Sequence, residues 1–118
     1  MRVTDLCHEM HRQGGALVAA HPFRGGQNFD EILKDLRPTL DGIELMSGRM
    51  DAACRQRAAR VFRSDQWVGL ASSDAHHENS LGCCTTQFDV PIRNNRDLVA
   101  AIRRRRAAPA EILPLAAS

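Results

Sequence analysis

The sequence has no tyrosine, one tryptophan and four phenylalanines in 118 residues. So few rings argue against a base-stacking surface for single-stranded nucleic acid, which is built on aromatic platforms. Surplus charge is scarce too. The net charge is +2 at neutral pH, too small to imply a polyanionic partner. No apolar run approaches the ~20 residues that cross a bilayer. No C-x-x-C pair occurs among Cys7, Cys54, Cys83 and Cys84. Adjacent Cys83 and Cys84 are poor candidates for a bridge to each other. With no recognisable leader at Met1, the expectation is a soluble, cytoplasmic protein with reduced thiols and no membrane partner.

What is present is an ordinary globular composition, 43% apolar and 25% charged. The length fits one domain, residues 1–118, with a core over 3–106 and a tail over 107–118. Val3, Leu6, Cys7 and Met10 recur at helical spacing, and "GG" at 14–15 stops that helix. "ALVAA" (16–20) is a short apolar run and predicts a buried strand. "FDEILKDL" (29–36) predicts a helix with Phe29, Ile32, Leu33 and Leu36 on one face, closed by Pro38. "GIELM" (42–46) and "WVGLA" (67–71) predict two more strands, with a helix over 51–63 capped by Asp51 between them. "TTQFDV" (85–90) alternates like an edge strand, Asn95 opens a last helix, and "AEILPLAAS" is a strand or a loose end. Strands alternating with helices predict an α/β fold of parallel βα units, an open sheet or part of a barrel.

In such folds ligands gather outside the carboxyl ends of the strands. His21 follows the first strand, Glu44 lies near the end of the second, and Asp74 and His76 follow the third. Imidazole and carboxylate together suit zinc, manganese or iron better than calcium. A metal of that kind brings the pKa of a bound water to about 7. Arg24 and Arg49 follow the first two strands, and their guanidinium groups suit a phosphate. A D-x-H pair alone is a weak signal, equally met by an Asx turn with an exposed histidine. Several polar groups at successive strand ends make a stronger one.

"GGALVAAHPFR" (14–24), "LDGIELMSGR" (40–49) and "ASSDAHHENSLG" (71–82) resemble the later motifs of the PHP (polymerase and histidinol phosphatase) domain. The resemblance covers most of 3–106 and is closest to bacterial PHP-type phosphoesterases. It implies part of a distorted seven-stranded βα barrel whose strand ends carry two or three metals and hydrolyse phosphoesters. It implies that His21, Asp74 and His76 are metal ligands and that Arg24 and Arg49 face the substrate phosphate. Glu44 is a motif position but not a direct ligand; as a buried carboxylate it needs a partner, for which Arg24 and Arg49 are candidates.

The H-x-H motif that begins the family is missing. His8 and His11 stand in "CHEMH" on a helix instead, and read as surface residues. The expectation is therefore the C-terminal half of a PHP domain, with an incomplete metal cluster. Its activity would be restored by an N-terminal half; the alternative is a non-catalytic scaffold. An open sheet edge also predicts a homo-oligomer or pairing with the N-terminal half. "RRRR" (103–106) reads as cations at a helix C-terminus, with no nucleic-acid partner beyond a possible substrate.

Overall fold

The structure is a computed structural model that describes residues 2–26 and 28–110. Residues 111–118, which hold most of the expected tail and its apolar stretch, lie outside the described residues. Helix α1 (Val3–Arg12) ends where the double glycine directs it to. Gly14 takes φ +84°, and Gly15 N–H reaches back to the Met10 carbonyl at 2.9 Å. This left-handed exit satisfies carbonyls that the helix end would leave bare. Strand β1 (Val18–Ala19) follows, then helix α2 (Phe29–Leu36), strand β2 (Gly42–Ser47), helix α3 (Ala52–Val61) and strand β3 (Val68–Ser72). The Asp51 carboxylate caps α3 by accepting the Cys54 N–H at 2.8 Å. That bond holds its carboxyl below the usual range.

The three strands form a parallel sheet in the order β1-β2-β3, with α2 and α3 as the connections. The expected parallel α/β organisation is therefore present in the described residues. The core lies between the sheet and α1–α2: Phe23, Phe29, Leu33, Leu36, Leu40, Ile43 and Trp67 pack together with Cys7. Phe23 and Phe29 meet edge to face, centroids 5.3 Å apart. Trp67 is fully buried and carries the Arg37 guanidinium 5.1 Å from its ring centroid.

Two of the expected apolar faces are only partly used. "ALVAA" forms a pairing of two residues, and both are half-buried. Among the described residues β1 pairs with β2 alone, so its outer edge has no strand to complete it. On α1 and α2, Cys7, Leu33 and Leu36 are buried, yet Val3, Leu6, Met10 and Ile32 stand 38–56% exposed. Burial is a property of what packs on an element, and period alone does not supply the neighbour.

The chain continues through β4 (Thr86–Phe88), α4 (Asn95–Arg103) and β5 (Ala107–Pro109). β4 and β5 pair antiparallel, and β5 lies beside β3. Ala107–Pro109, which the sequence places in the tail, are thus a strand. The Thr86 hydroxyl ties this unit to the sheet: it accepts the Ala71 N–H at 2.9 Å and donates to the Ala71 carbonyl at 2.7 Å. One side chain so imitates a strand pairing where the ladder stops. At the other end of the sheet, His11 is not a free surface residue. Its Nε2 lies 2.8 Å from Asp41 Oδ2, the same oxygen that accepts the Leu17 N–H at 2.8 Å. This pair fastens α1 to the turn before β2.

Candidate functional site

Strand β2 carries an irregularity that prepares the site. Glu44 opposes Leu70, but Met46 opposes Ala71, so Leu45 is an extra residue in the ladder. Bulges of this kind re-aim the end of a strand. Beyond it, Ser47 stands opposite Ser72, and Glu44 is left buried at 8% exposure among the strand ends.

Glu44 meets neither arginine. Its Oε1 accepts the His21 backbone N–H at 2.6 Å, and its Oε2 accepts the Ser72 hydroxyl. One carboxylate therefore links the ends of β1 and β3 across β2. Arg24 and Arg49, the partners expected from sequence, instead bind Asp74 and His76. Ser72 is a site residue that sequence reasoning missed. The only signal for it was the need of a buried carboxylate for hydrogen-bond donors.

His21 leaves β1 with φ +28°, and Phe23 follows at +72° around the buried Pro22. Asp74, after β3, has φ +49°. Left-handed backbone at such non-glycine residues stores strain and tends to cluster at functional sites. The turn at His21 leaves its Nδ1 closed off from solvent, with no hydrogen-bond partner among the described residues.

Asp74 and His76 form one local unit. His76 Nδ1 lies 2.8 Å from the Asp74 carbonyl and donates to it. A neutral ring that donates from Nδ1 accepts at Nε2. The Arg49 Nη1, 3.2 Å from the ring nitrogens, therefore donates to Nε2. Arg24 Nη1 donates to Asp74 Oδ2 at 3.2 Å. Each arginine so touches one of the groups expected as a ligand. Both pairs are partly solvated, which keeps their contribution to stability small.

Gly48 lets the loop after β3 approach β2 closely. A Cβ there would collide with the Ser73 carbonyl oxygen and lie 2.8 Å from Cys83 Sγ. Arg49, Ser73, Asp74, His76 and His77 then line an open cleft of about 350 Å³ beside Gly48 and Ser80. Cys83 is exposed near this cleft, whereas Cys84 is buried and its thiol pKa is raised, chiefly by burial.

The expected site residues thus separate into a linked set. Arg24 joins Asp74, Arg49 joins His76, and Glu44 holds the His21 backbone. Among the described residues, no three His, Cys, Asp or Glu side chains stand together as a metal-holding group. The donors suit a first-row divalent ion in kind, and His21 Nδ1 is buried without a hydrogen-bond partner among the described residues.

The described residues define a mixed α/β protein with a three-stranded parallel sheet, whose strand ends are where such folds usually place ligands. Residues 55–107, 53 of the 118, match the family model described as PHP-associated, which supports a C-terminal PHP-associated region. The match runs from α3 to β5 and includes Asp74 and His76; His21, Arg24, Glu44 and Arg49 lie before it. No curated protein and no solved structure matches the chain.

Proposed function

We propose that this chain supplies the C-terminal share of a PHP-type, metal-dependent phosphoesterase, and that it acts when joined to an N-terminal share bearing the remaining ligands. The observation that carries this reading is the linkage of strand ends by Glu44, which binds the His21 backbone N–H and the Ser72 hydroxyl, with Asp74 and His76 in the loop that follows β3. In the joined enzyme His21, Asp74 and His76 would hold zinc, manganese or iron, which would supply Lewis-acid activation of water and of the phosphoester for attack on phosphorus. Arg24 and Arg49 take the phosphate by paired hydrogen bonds and stabilise the charge that develops on it. The three parallel strands are then part of the distorted seven-stranded barrel, and β1 is where further strands continue the sheet. The four cysteines are free thiols, which suits the cytoplasm. No helix among the described residues is long and apolar enough to cross a membrane.

The scaffold reading draws on a different observation, the exposed Val3, Leu6, Met10 and Ile32, an apolar flank that suits a protein partner. Complementation separates the two. Mixing the chain with a separately produced H-x-H half and manganese is expected to give turnover of a phosphomonoester that neither part shows alone. Arg49→Ala in the mixture is expected to lower kcat by about 10²–10³. A mixture that forms a stable complex without turnover supports the scaffold and refutes the enzyme.

A further inference from the structure

We propose that the arginines on and just after α4 form a binding surface for the phosphodiester backbone of nucleic acid, separate from the strand-end site. The proposal does not depend on the phosphoesterase reading. Residues 93–106 contain six arginines and one aspartate. The whole chain has a net charge of only +2, so the remainder is net negative and the charge is concentrated here.

Arg96, Arg103 and Arg104 converge with Gln13 and Gly14 on a groove of about 550 Å³ between the end of α1 and α4. Arg96 and Arg103 are seven positions apart, two turns, and share a helix face. Among the described residues, Arg93, Arg96, Arg103, Arg104 and Arg105 have no carboxylate within ion-pair distance, whereas Arg106 pairs with Asp89 at 3.0 Å. Arg103 gives one N–H to the Gly15 carbonyl and keeps its other donors. Complementing the helix dipole accounts for cations in the last turn of α4, but not for Arg96. That residue lies in the first turn, where the dipole disfavours a cation.

The chemistry selects the partner. Guanidinium forks match phosphate oxygens. The groove has no aromatic lining for stacking bases, so contact falls on the backbone and is independent of sequence. Leu98, Val99 and Ile102 are half-buried, and only Val99 and Ala100 of α4 give the groove an apolar lining, a strip too narrow for a lipid surface. None of His21, Arg24, Glu44, Arg49, Asp74 and His76 lines this groove.

The test is fluorescence anisotropy with DNA and RNA duplexes of about 20 base pairs across a salt series. Three arginine contacts are expected to give a slope of log K against log salt near about −3. The variant Arg96→Gln with Arg104→Gln leaves Arg103 and its Gly15 contact in place. It is expected to reduce that slope by about 2 and to weaken low-salt binding about tenfold or more. Arg60→Gln with Arg63→Gln removes the same charge from α3 and the turn after it, and is expected to leave the slope unchanged. Absence of duplex binding at low salt, or equal loss in the two variants, overturns the proposal. So does equal competition by polyglutamate or phosphatidylserine vesicles.

Discussion

Trp67→Ala is expected to lower stability by about 3–5 kcal/mol, the range for removing a large aromatic from a packed core. Trp67 is fully buried immediately before β3, in the same cluster as Phe23, Phe29, Leu33 and Ile43. Its loss opens a cavity at the junction of sheet and helices and frees Arg37 from the ring it covers at 5.1 Å. The indole Nε1–H is buried and has no hydrogen-bond partner among the described residues. Trp67→Phe removes that orphan donor while keeping much of the volume. It is therefore expected to lose clearly less than Trp67→Ala. Urea unfolding followed by far-ultraviolet circular dichroism gives both values. Equal losses in the two variants contradict the packing described around Trp67.

Glu44→Ala has the second large effect, and it joins stability to function. The carboxylate is the acceptor for the His21 N–H at 2.6 Å and for the Ser72 hydroxyl. Removing it leaves two donors at the strand ends without their acceptor, at about 1–3 kcal/mol for each one that stays buried. It also releases the left-handed turn at His21, whose φ of +28° is held in place by that bond. Glu44→Gln keeps an amide oxygen for His21, and its NH2 can donate to the Ser72 oxygen. The expected order of stability is wild type, then Glu44→Gln, then Glu44→Ala. In the complemented pair, turnover is expected to fall in the same order. If Glu44→Ala matches wild type in both, Glu44 does not organise the strand ends.

Local pattern carried much of the fold. The spacing of Phe29, Leu33 and Leu36 located α2, Asp51 marked the start of α3, and the apolar runs at 42–46 and 67–71 located β2 and β3 within a residue or two. The same patterns overstated burial on β1 and on the exposed flank of α1, because periodicity records which face is apolar and not what covers it. β5 was missed because "AAP" has neither alternation nor β-branched residues; it is a strand through its pairing with β4. The strand-end rule located His21 just after β1 and Asp74 and His76 just after β3, with Glu44 inside β2. Who holds whom was not readable. The Glu44–Ser72 and Glu44–His21 bonds join residues 28 and 23 positions apart, and they depend on the bulge at Leu45 and on register. The Arg24–Asp74 and Arg49–His76 contacts likewise follow from loop geometry that composition does not encode.

The central claim is that this chain holds part of a metal site and needs a second part to complete it. Elemental analysis of the purified chain and of its complex with an H-x-H half, after equilibration with zinc and manganese and removal of free ion, tests it most directly. The expected result is no stoichiometric metal on the chain alone, metal retained by the complex, and loss of that metal on Asp74→Ala. Stoichiometric metal on the chain alone, lost on His76→Ala, would contradict it.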